Sequence, residues 1–74
     1  KLNAYLIHGS DVYAETTINR AIEAHYRITG GDEVTCAEEM GRDLPWRDEE
    51  ASVQVRTIGE LLSNTPEATY LGTI

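Results

Sequence analysis

Three side chains are soft or borderline metal ligands and could act as bases or nucleophiles: His8, His25 and Cys36. Structural zinc needs four such ligands, usually as close pairs a few residues apart, and no pair occurs here. A calcium loop, with alternating aspartates, a central glycine and a distal glutamate, is also missing. The sequence therefore leads us to expect no metal and no cofactor. His8-Gly9-Ser10-Asp11 sets an imidazole, a hydroxyl and a carboxylate side by side. Nucleophilic catalysis needs a base within reach of the nucleophile and an orienting group behind that base. Sequence neighbours rarely satisfy both, so Ser10 and Asp11 read as turn formers. No catalytic residue is assigned, and an enzyme is not expected. Cys36 lies among Glu33, Glu38 and Glu39, whose charge disfavours a thiolate. It is expected to be a quiet, buried cysteine.

The strongest pattern is one of charge. Of the thirteen carboxylates, eight fall between Asp32 and Glu50: Asp32, Glu33, Glu38, Glu39, Asp43, Asp48, Glu49 and Glu50. Only Arg42 and Arg47 interrupt them, so this stretch carries −6 of the formal −7. Such a field repels nucleic acid and anionic membrane and attracts cationic partners. The acids bracket Leu44-Pro45-Trp46, which holds the only tryptophan of the chain. Trp46 either closes over the core or stands exposed as an aromatic anchor ringed by charge, the composition of a binding hot spot. The candidate partner-binding residues are Glu38, Glu39, Asp43, Trp46, Asp48, Glu49 and Glu50. The competing reading is a solvated loop that keeps a small protein soluble.

Gly30-Gly31-Asp32-Glu33 matches the first four letters of the diguanylate cyclase signature. The resemblance ends there. The fifth position is Val34 rather than phenylalanine, that family's domain is about twice as long, and its motif sits on a hairpin. Here the glycines follow an amphipathic helix and read as its stop.

The elements that must position these residues follow from periodicity. Leu2–His8 alternates with apolar residues on both faces and is expected inside a sheet. Gly9-Ser10-Asp11 is a turn, after which Val12–Glu15 either pairs back as a hairpin or leads into the helix. Ile18, Ala21, Ile22, His25 and Thr29 form one helical stripe, with Thr16 or Thr17 as cap and Gly30-Gly31 as stop. His25, on that stripe, is expected to be buried and hydrogen-bonded to backbone or to a tyrosine. Glu33–Ala37 reads as a strand, although Thr35 and Glu38 also form a capping box for a short helix. Ser52–Thr57 alternates as a strand, Thr57 and Glu60 box the start of a second helix, and Thr69–Ile74 reads as a last strand.

The expected class is α+β: one small acidic domain over residues 1–74, with an antiparallel sheet, a main helix (Thr17–Thr29) and a short second helix. The order fits a ferredoxin-like βαββαβ sandwich. A β-hairpin, one long helix and a small remaining sheet is the competing arrangement. At 74 residues the core is thin. One cysteine permits no internal disulfide, which points to a reducing, cytoplasmic setting. No apolar run reaches the length of a membrane span, and no signal-like segment opens the chain. Six basic residues against thirteen acidic ones give the wrong sign for direct nucleic-acid binding. The expected function is a non-catalytic acidic binding protein. It would occupy a basic, nucleic-acid-binding surface of a partner protein, as inhibitors of the anti-CRISPR or anti-restriction type do. The alternative is a ligand-sensing or dimeric scaffold module, a homodimer joined through its sheet.

Overall fold

Alternation along the first strand sets the layering of the molecule. In the computed structural model, which describes residues 1–47 and 55–74, β1 (Asn3–Ile7) and β2 (Asp11–Glu15) form an antiparallel hairpin. Cross-strand partners share a face, so Ala4 and Ala14 lie with Leu6 and Val12, while Tyr5 and Tyr13 lie opposite with Ile7 and Asp11. Each face is apolar and each is covered. On one side, Tyr5, Ile7 and Tyr13 pack against Ala21 and Ala24 of α1 (Ile18–Ile28). On the other, Ala4, Val12 and Ala14 meet Met40, Trp46, Ile58 and Leu62.

The hairpin turn uses two residues in the left-handed region, His8 at φ 53° and Gly9 at φ 71°. Ser10 N–H closes it on the Ile7 carbonyl at 3.1 Å. Positive φ at both central positions matches the twist of the flanking strands. Glycine adopts it freely, whereas a histidine there is uncommon.

Helix α1 starts and stops on local chemistry. Thr17 is the cap, its Oγ1 accepting Arg20 N–H at 3.2 Å. At the other end Gly31 N–H reaches the Tyr26 carbonyl at 2.8 Å and Gly30 N–H the Arg27 carbonyl at 3.3 Å. This paired closure needs left-handed backbone, which Gly30 supplies at φ 75°. Of the expected stripe, Ala21 and His25 are buried and Ile22 half-buried, while Ile18 and Thr29 remain exposed.

β3 (Ala37–Glu39) pairs antiparallel with β1, so β1 is interior as expected. The strand expected at 33–37 is therefore displaced, and no helix forms from the Thr35–Glu38 box. The ladder to β1 prevails: beyond the strand itself, His8 N–H bonds the Cys36 carbonyl at 2.9 Å and Met40 N–H the Ala4 carbonyl at 2.8 Å. Next, β4 (Pro45–Arg47) and β5 (Val55–Thr57) form a separate two-stranded antiparallel ribbon. Of the strand expected at Ser52–Thr57, residues 52–54 lie outside the described residues. Helix α2 (Ile58–Ser63) begins at its expected cap, Thr57 Oγ1 accepting Glu60 N–H at 3.1 Å. Ile58 and Gly59 N–H groups go to the Leu44 and Arg42 carbonyls, at 2.8 and 2.9 Å.

β6 (Thr69–Thr73) completes the main sheet beside β2, giving the order β3-β1-β2-β6. Opposite Val12 and Tyr13 the partners are Gly72 and Tyr70, which leaves Leu71 as a bulge. The class is thus a small α+β domain with antiparallel sheets, one main helix and a short second helix. The ferredoxin-like order is not what the sheet shows. There the first two strands would be joined by a helix and run parallel, whereas here the tight turn at His8-Gly9 makes them antiparallel neighbours. Among the described residues no helix is long and apolar enough to cross a membrane.

Candidate functional site

The turn, the main helix and the residue after its glycine stop converge on one polar cluster. His25 projects from α1 toward the sheet and is 2% exposed. Its Nδ1 meets the Tyr13 hydroxyl at 2.8 Å and its Nε2 meets Asp32 Oδ2 at 3.1 Å. A carboxylate only accepts, so Nε2 carries a proton, and in a neutral ring Nδ1 then accepts from Tyr13 O–H. The histidine is thus buried and bonded to a tyrosine, in line with its place on the stripe. A chain Tyr13–His25–Asp32 results, in which every buried polar atom has a partner; among the described residues no buried side-chain nitrogen or oxygen is left unsatisfied.

Asp32 reaches back to His25 because the chain reverses sharply at Gly30-Gly31, and because its own N–H is held by Thr29 Oγ1 at 3.1 Å. Thr29 Oγ1 in turn donates to the His25 carbonyl at 2.8 Å. One threonine therefore fixes both ends of the His25–Asp32 pair. His8 closes the cluster from the hairpin turn. Its Nδ1 stands 3.7 Å from Asp32 Oδ2, and its ring meets that of His25 edge-on with centroids 5.4 Å apart. His8 Nε2 accepts Thr35 N–H at 3.0 Å, with Thr35 Oγ1 at 3.5 Å.

A second polar group lies behind the first. Asp11 Oδ1 accepts from the Tyr70 hydroxyl at 3.0 Å and from Thr73 Oγ1 at 3.3 Å, while Asp11 Oδ2 is 4.0 Å from His25 Nδ1. Burial raises the pKa of Tyr13 above the usual phenol value, and the charge of Asp11 and the neighbouring Tyr70 add to it. Tyr13 consequently stays a neutral donor to His25.

Spacing along the chain conceals this arrangement. His8, His25 and Asp32 are far apart in sequence, and only the hairpin register and the helix stop bring them together. The one usable signal was His25 on an apolar stripe, which demands a buried polar partner.

The candidate partner-binding residues are placed differently. Glu38 and Glu39 are exposed on β3, at one edge of the main sheet, and Asp43 is exposed in the following turn. Trp46 is not an exposed anchor: it is 6% exposed and packs in the core with Met40, Ile58 and Leu62. The ring lies over Gly72, where an added Cβ would stand at an ordinary contact distance of 3.5 Å from Trp46 Cζ2. Asp48, Glu49 and Glu50 lie outside the described residues. Cys36, expected to be buried, is exposed. It precedes an edge strand and its carbonyl, rather than its side chain, is used in the ladder.

Fold and site together define a small α+β domain with a buried Tyr–His–Asp hydrogen-bonded chain under a histidine-bearing turn. Comparison with protein-family models, curated proteins and solved structures finds no match.

Proposed function

We propose that this protein is a non-catalytic acidic binding protein whose partner presents a basic, nucleic-acid-binding surface. The observation that carries the reading is the state of the acids on and after β3. Glu33, Glu38, Glu39 and Asp43 are all exposed. Among the described residues none of them forms an ion pair with lysine or arginine; the pairs present join His8 and His25 to Asp11 and Asp32. Arg42, the nearest cation in the sequence, turns away and donates to the Leu2 carbonyl at 3.2 Å and Asn3 Oδ1 at 3.3 Å. The acidic field is therefore left available to steer a cationic partner. With Trp46 in the core, the reading rests on charge rather than on an aromatic anchor. An inhibitor of the anti-CRISPR or anti-restriction type is the kind of protein this fits.

The test is affinity capture from a lysate of the source cell or its host, eluted in rising salt and, separately, with duplex DNA. Release of a nucleic-acid-handling protein by both supports the reading. Capture should fall for Glu38→Gln/Glu39→Gln/Asp43→Asn and for neutralised Asp48, Glu49 and Glu50, most visibly at low salt, with folding intact. Recovery of no partner, or undiminished capture by both neutralised variants, overturns it.

A further inference from the structure

We infer that His8, His25 and Asp32 form a binding site for a zinc ion. One donor atom from each of the three lies within 4.8 Å of the others. His25 Nε2 and His8 Nδ1 stand 3.1 and 3.7 Å from the same oxygen, Asp32 Oδ2. Tetrahedral zinc with bonds near 2.1 Å holds its ligand atoms about 3.4 Å apart, and these two distances bracket that value. The remaining closure falls to side chains with room to move, since those of His8 and Asp32 are 29% and 55% exposed.

The donor set selects the metal. Two imidazoles and one carboxylate suit zinc and neighbouring divalent ions, not calcium or magnesium, which prefer oxygen alone. Three protein ligands leave a fourth position to water, as in zinc centres that stay open to a further ligand.

The surroundings are arranged as a metal site requires. Tyr13 holds His25 by Nδ1, leaving Nε2 to point at the carboxylate, the outer partner that orients a ligating imidazole. Proton accounting closes without net release. On binding, the His25 proton moves from Nε2 to Nδ1, where it donates to the Tyr13 oxygen, and the Tyr13 O–H turns from Nδ1 toward the Asp11 carboxylate, whose Oδ2 lies 4.0 Å from Nδ1. His8 exchanges its Nδ1 proton for one on Nε2, which turns from Thr35 N–H to Thr35 Oγ1. The unusual left-handed backbone at His8 aims its ring into the cluster, the kind of local strain that accompanies ligand sites. None of this depends on the acids of β3 or on the partner they would meet.

The test is titration of the metal-free 74-residue chain with zinc chloride, read by calorimetry and by thermal unfolding, with cobalt absorption reporting coordination. Expected are one zinc ion per chain, a melting temperature that rises with zinc, and visible cobalt bands of a low-coordinate site. His8→Asn tolerates the left-handed turn and Asp32→Asn keeps the shape of an exposed side chain, so both should fold. Outer-shell changes at metal sites already cost about 10–100-fold in affinity, so each of these variants should lose at least about tenfold. Cys36→Ser should bind as the parent does. Failure to take up zinc overturns the site, as does undiminished affinity in both ligand variants. Loss of binding in Cys36→Ser would reassign the metal to the exposed thiol and equally overturn it.

Discussion

At the scale of single residues, His25 organises the molecule's polar interior. A buried imidazole on a helix of eleven residues is tolerable only because both ring nitrogens are engaged. Replacing Tyr13 by phenylalanine keeps the ring and its packing but leaves Nδ1 without its hydroxyl. The expected cost is about 1–3 kcal/mol of stability, measured by urea denaturation. A loss indistinguishable from zero would mean that water takes over the bond as donor to Nδ1. The pair was half legible in advance: the stripe demanded a partner for His25, yet nothing in the sequence chose Tyr13 over the other tyrosines. The register puts both Tyr5 and Tyr13 on the helix-covered face, and the position of His25 along α1 sets it against the Tyr13 hydroxyl.

At the scale of elements, termini were the most legible features, because they are written in local chemistry. Thr17 and Thr57 each cap the helix that follows, and Gly30 with Gly31 ends the first. Gly30 tests this cleanly. A Cβ there would meet nothing within 4 Å, so Gly30→Ala isolates the backbone cost of φ 75°. About 1–2 kcal/mol is expected, with a loss of thermal stability and no change in fold by circular dichroism. If the stop also positions Asp32, the same variant should weaken zinc uptake. The displaced strand near residue 37 was less legible for a complementary reason. Thr35 and Glu38 offered a good local box, but three paired residues against β1, with a further bond at each end, outweigh it.

At the scale of the whole molecule, a thin domain depends on few large side chains. Trp46 joins the β4–β5 ribbon to the lower face of the sheet and to α2 through Met40, Ile58 and Leu62. Trp46→Ala is expected to cost about 3–5 kcal/mol, a large share of what a domain this small holds, and to leave it largely unfolded at room temperature. Far-ultraviolet circular dichroism, followed through urea denaturation, would show this directly. A folded Trp46→Ala protein would mean that the ribbon packs independently of its ring. The acids impose a different constraint. Concentrated on one stretch without cationic partners among the described residues, they repel one another, so added monovalent salt should raise the melting temperature modestly. The same salt should weaken binding to a basic partner, which separates the effect of charge on folding from its effect on association.

The amino-acid sequence by itself determined what depends on neighbours along the chain: the starts of both helices, the stop of the first, the interior place of the first strand, and the concentration of negative charge. It determined also that His25 would be buried with a partner. The tertiary structure decided what depends on register and crossing. The hairpin made β1 and β2 antiparallel neighbours, in place of the ferredoxin-like order. The second face of the sheet drew Trp46 inward, while the edge position of β3 left Glu38, Glu39 and Cys36 exposed. The turn and the helix stop brought His8 and Asp32 to His25. Local signals fix φ, ψ and capping within a few residues, whereas contacts between distant segments are chosen by which pairing buries the most apolar surface with every polar group satisfied.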